Sequence, residues 1–334
     1  MEPHATGRWE SISFTSAVLE GNPLGDPNVR PMWIYLPPGY DADPDRRWPS
    51  VYVVQAHIGR VEAWFNVQPF SKNFPERVQE LAPRCLVVLV DAFTAVGGSQ
   101  FLDSPAVGRY HTYLCDEVVP WVDARYRTLA AREHRGIMGH SSGGFGAMIT
   151  PMLRPDLFGG LATHAGDALF ELCYQRDFPV AVRALRDRYD GSWERFWEDF
   201  RSGRPVLATR DDPVLLGTYA MAACYSSNED GSIDFPFDLR TGRLVDEVWQ
   251  RWLEWDPVRR APRHAETLRE LRAVWIDAGQ ADEYYLDLGA LAFRDALAGI
   301  GVSEFRFELF EGRHGGVTHR FPLSLAYLAE RLCP

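Results

Sequence analysis

The stretch HRGIMGHSSGGFGAMIT, residues 134–150, begins like a strand and ends like a helix, with a serine at the corner between them. Its centre, Gly139-His140-Ser141-Ser142-Gly143, fits the pattern G-x-S-x-G directly after an apolar run and directly before a helical segment. A sharp strand-to-helix turn holds such a serine in a strained backbone conformation, and the flanking glycines let neighbouring segments approach closely. The stretch therefore predicts that Ser141 is a nucleophile presented above a sheet at a helix N-terminus.

Short apolar runs alternate with longer helical patterns along the chain. The runs lie at residues 51–56, 85–92, 136–141, 159–166, 273–279 and 305–312. Because they are apolar at successive positions, they indicate strands covered on both faces, and hence a mainly parallel sheet between helices. Ahead of them, residues 9–18 and 30–38 alternate between polar and apolar, which predicts an antiparallel hairpin at one edge. The predicted fold class is α/β.

Between residues 168 and 272 no strand-like run occurs, and helical and turn segments rich in tryptophan replace it. We interpret this segment as a helical cap inserted between two core strands, so that core (1–167), cap (168–272) and core (273–334) follow one another. The cap tryptophans are Trp193, Trp197, Trp249, Trp252 and Trp255. Packing explains most of an aromatic stripe, yet some of these rings should face the cleft beneath the cap.

Composition and charge exclude several classes of protein. Of the 334 residues, 46% are hydrophobic and 24% are charged, which is usual for a soluble globular protein. The formal net charge of −11 would repel a phosphate backbone, so nucleic acid is not an expected partner. No apolar stretch approaches the roughly 20 residues that span a bilayer, and the N-terminus lacks a signal-peptide pattern. We therefore expect no membrane association and a cytoplasmic location, with the oligomeric state left open, a homodimer included.

The five cysteines are scattered and form no CxxC pair, so we expect buried free thiols rather than a zinc site or a redox couple. They are Cys85, Cys115, Cys173, Cys224 and Cys333.

A serine hydroxyl needs a base to take its proton, and the base needs an acid that fixes its tautomer. In a strand–turn–helix architecture of this kind the chain order is serine, acid, histidine, with the partners in loops after later strands. His314 follows the last apolar run, between glycines, and is the favoured base, with His319 as the alternative. Asp282 lies in a loop after the preceding run and is the favoured acid, with Asp277 as the alternative.

Two main-chain N–H groups should stabilise an oxyanion beside the serine. One belongs to Ser142, which is also the rival nucleophile, although only Ser141 has glycines two residues before and two after it. The second donor should lie after the first apolar run, at His57 or Ile58. We expect His140 to be a packed or surface-facing residue that points away from Ser141.

Several stretches together resemble one branch of the α/β hydrolases, namely GHSSGGFGAM, VRPMWIYLPPGY, YLCDEVVPWVDARYR, the aspartate after AVWIDAG, and FEGRHGG. This esterase branch includes S-formylglutathione hydrolases of the esterase D type, feruloyl esterases, enterochelin esterase-like proteins and mycobacterial mycolyltransferases. The resemblance implies the α/β-hydrolase fold, a triad of Ser141, Asp282 and His314, and an oxyanion hole formed by the main chains of His57 and Ser142. It implies neither a metal nor a redox cofactor.

The sequence thus predicts a serine-dependent carboxylic-ester hydrolase that acts on a small-molecule ester through an acyl-enzyme on Ser141. The aromatic cap favours an apolar or aromatic substrate. Two alternatives stay open. One is an acyltransferase of the mycolyltransferase type, which passes the acyl group to an alcohol instead of water. The other is a non-catalytic binding module on the same fold.

Overall fold

A computed structural model describes residues 6–205 and 207–334. In these ranges the strands are β1 (Arg8–Thr15), β2 (Val29–Leu36), β3 (Ser50–Val54), β4 (Leu86–Val90), β5 (Asp103–Ser104), β6 (Gly108–Arg109), β7 (Arg135–His140), β8 (Gly160–His164), β9 (Ala273–Gly279) and β10 (Arg306–Phe310). The helices before β8 are α1 (Phe74–Leu81), α2 (Tyr110–Thr112), α3 (Val119–Arg125) and α4 (Ser142–Leu153). Those between β8 and β9 are α5 (Phe170–Cys173), α6 (Phe178–Tyr189), α7 (Trp193–Phe200), α8 (Asp212–Tyr225), α9 (Asp246–Leu253), α10 (Pro257–Arg260) and α11 (Ala265–Arg269), and α12 (Leu286–Gly299) and α13 (Phe321–Leu332) follow.

Eight of the strands form one sheet in the order β1-β2-β4-β3-β7-β8-β9-β10. The six apolar runs of the sequence became β3, β4, β7, β8, β9 and β10, and each pairs in parallel with its neighbours among them. β1 and β2 form the predicted antiparallel hairpin at one edge. The prediction of an α/β fold with a mainly parallel sheet is confirmed. The short hairpin β5-β6 was not predicted, because two-residue strands carry no periodic pattern.

The inner parallel strands of the sheet are buried on both faces, which explains their continuous apolar runs. Within β3, Tyr52 and Val54 belong to one hydrophobic cluster, while Val51 and Val53 belong to a second cluster on the other face. Successive side chains of a strand point to opposite faces, so positions 51–54 of β3 are all apolar for the same reason. Helices α4 and α12 pack on one face, and α13 packs on the other.

The segment predicted as a cap holds α5 to α11, and no strand of the sheet lies in its described part. Trp193, Trp197 and Trp249 are buried there among other aromatic rings. The division of the chain into core, cap and core stays a prediction. The first five residues of the predicted core segment and Val206 of the predicted cap lie outside the described residues.

Cys85, Cys115, Cys173 and Cys224 are buried free thiols, as predicted, whereas Cys333 is half-buried. None of the helices in residues 6–205 and 207–334 is both long enough and apolar enough to cross a membrane.

The parallel strands bring distant parts of the sequence to one edge. The carboxyl ends of parallel strands meet at the same edge of a sheet, and loops leaving that edge form the usual binding crevice of such folds. The loops after β3, β7, β8, β9 and β10 all leave this edge. These loops carry the residues of the candidate site.

Candidate active site

Ser141 lies at the corner between β7 and α4 with a strained backbone, at φ 56° and ψ −124°. The glycines around it are required by close packing. A Cβ on Gly139 would lie 2.4 Å from the carbonyl carbon and oxygen of Gly143, and one on Gly143 would lie 2.4 Å from the Val54 carbonyl oxygen. The turn therefore excludes larger residues on both sides, and it projects Ser141 into a cavity at the edge of the sheet.

The structure brings Ser141, His314 and Asp282 together in one hydrogen-bonded chain. Ser141 Oγ lies 3.1 Å from His314 Nε2, and His314 Nδ1 lies 2.8 Å from Asp282 Oδ2. The Asp282 side chain is fully buried, and its other oxygen accepts a hydrogen bond from the Tyr284 main-chain N–H at 2.8 Å. Asp282 is thus fixed in place, and it orients the imidazole toward the serine.

Glu283 and His140 both form hydrogen bonds with the main chain of His314. The His314 main-chain N–H donates to Glu283 Oε2 at 2.9 Å, which lowers the pKa of the Glu283 carboxyl.

His140 is packed, as predicted, but it does not point away from the site. Its ring lies 4.5 Å from the His314 ring, and it lines the same cavity as Ser141. Burial, with the neighbouring histidines, lowers the pKa of His140 to about 3.

The alternative acid, Asp277, takes part in a different network. Asp277 Oδ1 lies 2.5 Å from His164 Nδ1, and Asp277 Oδ2 accepts hydrogen bonds from Arg320 and Trp275. His164 Nε2 lies 2.8 Å from Ser324 Oγ, which completes a second serine–histidine–aspartate chain. All three of its side chains are fully buried within the fold, so this second chain cannot meet a substrate.

The alternative base, His319, also lies in a separate environment. It belongs to a short helical turn before α13, and its Nδ1 lies 3.0 Å from the carbonyl oxygen of Gly316 in its own loop. The structure therefore places His314, and not His319, beside Ser141.

Of the two residues considered for the second oxyanion donor, Ile58 is already engaged, because its N–H donates to the Gly97 carbonyl at 2.7 Å. The His57 ring is anchored, with Nε2 3.1 Å from the Val96 carbonyl oxygen. In the part of the chain that the structure describes, the main-chain N–H groups of His57 and Ser142 donate to no protein group. Both residues line the cavity, so both N–H groups are available to a bound oxyanion.

The cavity beside Ser141 has a volume of about 290 Å³ and is walled mainly by apolar and aromatic side chains from the predicted cap segment. Of the five cap tryptophans, Trp252 is the one that lines it in the described structure. The wall also includes Tyr174, Phe178, Leu216 and Met221. The expectation that part of the aromatic stripe faces the cleft therefore holds for Trp252.

One residue of the site was missed from the sequence. Asp167 follows β8 and is buried at the cavity wall, with Oδ1 3.5 Å from Ser141 Oγ. Its Oδ2 accepts hydrogen bonds from Tyr174 at 2.7 Å, Gln100 at 3.1 Å and Ser142 at 3.2 Å. The signal that could have identified it is its position directly after the predicted parallel strand of residues 159–166, and hence at the edge that carries the site.

Comparisons with known proteins agree with this fold. A family model described as "Putative esterase" matches residues 28–322. The uncharacterised protein YbbA of Bacillus subtilis (strain 168) is 27% identical over 150 residues, or 41% of this chain, and the match spans 57% of YbbA's own length.

Two solved structures superpose over nearly the whole chain. A ferulic acid esterase shares 17% identity, with a TM-score of 0.59 and coverage of 98% of this chain and 99% of that chain. FphF, a fluorophosphonate-binding serine hydrolase of Staphylococcus aureus, shares 15% identity, with a TM-score of 0.59 and coverage of 97% and 98%. At these identities the likeness is one of fold. Because the family model spans most of the chain, the protein belongs to the family described as "Putative esterase".

Proposed function

We propose that the protein is a serine-dependent hydrolase of small-molecule carboxylic esters. The observation that carries the proposal is the continuous chain from Ser141 Oγ through His314 to Asp282, with contacts of 3.1 and 2.8 Å, at the wall of an accessible cavity. The family membership and the fold shared with a ferulic acid esterase and a serine hydrolase support the same class of reaction.

The first half of the reaction forms an acyl-enzyme. Ser141 Oγ attacks the ester carbonyl carbon while His314 Nε2 takes the serine proton, and Asp282 stabilises the imidazolium through Nδ1–H. The negative charge that develops on the carbonyl oxygen is stabilised by the main-chain N–H groups of His57 and Ser142 and by the N-terminus of α4. His314 then protonates the leaving alcohol as the carbon–oxygen bond breaks.

The second half releases the acid. A water molecule gives a proton to His314 and attacks the acyl carbon. His314 then returns that proton to Ser141 Oγ as the bond between the acyl carbon and Ser141 Oγ breaks. No group outside this set of residues is needed to balance the two steps.

The proposal is tested by labelling and by kinetics on the same protein. The wild-type chain should react covalently with a fluorophosphonate probe and hydrolyse p-nitrophenyl acetate or butanoate. Ser141→Ala should lose the label and lose kcat/KM by roughly 10⁴-fold or more, because the nucleophile is absent. Tandem mass spectrometry of the labelled peptide identifies the modified serine.

Ser142→Ala is the matched control, because it removes a neighbouring hydroxyl and keeps the main-chain N–H. This variant should still be labelled on Ser141. Labelling of Ser142, or hydrolysis that survives in Ser141→Ala, would contradict the proposal.

A further inference from the structure

Asp167 is a buried carboxylate beside the nucleophile, and it has no cationic partner among residues 6–205 and 207–334. The residue is 6% exposed. No side-chain nitrogen of a described lysine, arginine or histidine lies within 4 Å of its carboxylate oxygens. Its hydrogen-bond partners are the hydroxyls of Ser141, Ser142 and Tyr174 and the amide of Gln100, which are all neutral. Buried carboxylates are usually paired with a positive charge, so the missing cation requires an explanation.

The two oxygens of Asp167 have different surroundings. Oδ2 accepts three hydrogen bonds from the protein, at 2.7, 3.1 and 3.2 Å. Oδ1 has one partner in the described structure, the Ser141 hydroxyl at 3.5 Å, and that hydroxyl also contacts His314 at the shorter distance of 3.1 Å. Oδ1 is therefore an acceptor with spare capacity next to the reacting atom.

The charged groups in the cavity wall are acidic. Asp167 and Asp177 line it, and no lysine or arginine does so in residues 6–205 and 207–334. Asp177 is paired with Arg176 at 3.3 Å, which leaves Asp167 as the uncompensated charge. The wall also includes the aromatic rings of Tyr174, Phe178, Trp252 and Tyr284. A wall of carboxylates and aromatic faces attracts a cation and repels an anion.

The negative charge of Asp167 disfavours the tetrahedral intermediate that a neutral ester forms. The tetrahedral intermediate develops negative charge close to Ser141, and the Asp167 carboxylate repels that charge. A substrate that carries a positive group against Asp167 removes the repulsion. We propose that the site selects esters with an ammonium group close to the ester carbonyl, and that Asp167 accepts a hydrogen bond from this group through Oδ1. The inference rests on the proposed esterase function and names its substrate class.

The first test compares matched esters on the wild-type protein at pH 7. The p-nitrophenyl esters of 3-aminopropanoate, butanoate and hemisuccinate have chains of similar shape and carry a positive, zero or negative charge. Each kcat/KM is divided by the ester's rate constant for hydroxide hydrolysis, which removes intrinsic reactivity. This corrected kcat/KM should be higher for the cationic ester than for the neutral one, and higher for the neutral ester than for the anionic one. We expect each difference to be on the order of tenfold.

A parallel series places the charge on the alcohol, with 2-(dimethylamino)ethyl acetate, whose protonated amine keeps one N–H, and its neutral isostere 3-methylbutyl acetate followed by pH-stat. A preference for the cation in either series supports the proposal. A neutral ester hydrolysed as fast as the cationic one in both series would overturn it.

Variants then assign the preference to Asp167. Asp167→Asn should reduce the ratio of cationic to neutral kcat/KM by about tenfold, whatever its effect on the neutral ester alone. Asp177→Asn is the matched control, because it removes a paired carboxylate from the same wall, and it should keep most of the preference. An equal fall of the ratio in both variants would reject the role of Asp167. If Asp167→Asn does not fold, the wild-type series decides the question.

The failure of this inference is distinguishable from the failure of the proposed function. If Ser141→Ala abolishes hydrolysis of every ester and the wild type shows no charge preference, the esterase proposal stands and the substrate class is wrong. If hydrolysis is independent of Ser141, both are wrong.

Discussion

The ring of His140 lies 4.5 Å from the ring of His314, and His140 Nε2 donates a hydrogen bond to the His314 carbonyl oxygen at 2.9 Å. Burial and the neighbouring histidines lower the pKa of His140 to about 3, so its ring is neutral at physiological pH. His140 therefore supports the His314 loop as an uncharged donor.

This relationship predicts a contribution of His140 to the pH dependence of stability. The pKa of His140 is about 3 in the folded chain and about 6.5 when unfolded, so between these values the unfolded state binds the extra proton. The free energy of unfolding therefore falls as the pH drops from about 6.5 toward 3, by about 2 kcal/mol at pH 5 relative to pH 8 from this group. Urea unfolding at both pH values should show a smaller loss for His140→Gln than for the wild type. Equal losses would contradict the assignment.

Asp282→Asn should remove activity while leaving the fold intact. An amide in place of the carboxylate cannot hold His314 in the required tautomer or stabilise its positive charge. We expect kcat/KM for p-nitrophenyl acetate to fall roughly 10³- to 10⁴-fold, with a change in the free energy of unfolding of about 1 kcal/mol. Steady-state kinetics and urea unfolding on one preparation measure both quantities. Near-normal kcat/KM would show that another acid orients the base.

Asp277→Asn should lower the stability of the protein and leave the reactivity of Ser141 intact. The substitution removes the buried carboxylate that lies 3.0 Å from the Arg320 guanidinium and leaves it only the partly exposed Glu308, and it disturbs the pair with His164. Breaking a buried ion pair on one side costs about 3–5 kcal/mol of stability. The protein that remains folded should still react with a fluorophosphonate at Ser141. A variant as stable as the wild type but inactive would reverse the roles that we assign to the two aspartates.

Alanine should have opposite effects on stability at two glycines, Gly143 and Gly217. Gly143→Ala places a Cβ 2.4 Å from the Val54 carbonyl and 2.8 Å from that of Gln55, both main-chain atoms that cannot easily move. We expect a loss of about 2–4 kcal/mol or failure to fold. Gly217→Ala in α8 meets no atom within 4 Å and should gain about 0.5–1 kcal/mol from helix propensity. Urea unfolding ranks the two variants, and a stable Gly143→Ala would contradict the close packing at the turn.

Much of the fold could be predicted because its signals are local. Five of the six parallel strands, β3, β4, β7, β8 and β9, appear as buried, mainly apolar runs because both of their faces are covered, whereas β10 at the edge is partly exposed. The turn at Ser141 is recognisable because only glycine fits at positions 139 and 143. The choice of Asp282 and His314 followed from chain order and loop position, and the structure places His314 beside Ser141 and Asp282 beside His314.

What could not be predicted depends on contacts between distant segments. Asp167 and Gln100 are 67 positions apart, and no local pattern indicates that they share a hydrogen bond beside Ser141. The same holds for His140, whose strand geometry suggested that it points away from Ser141, yet which packs on the His314 ring 174 positions later.

Residue pattern alone was sufficient for the class of fold, the sharp turn and the order of the polar residues along the chain, because each depends on local backbone preference and on the periodic burial of side chains. The position of Trp252 in the wall of the cavity and the acidic character of that wall arose only on folding. These features depend on which loops converge at one edge of the sheet, and that convergence is set by packing between segments far apart in the sequence.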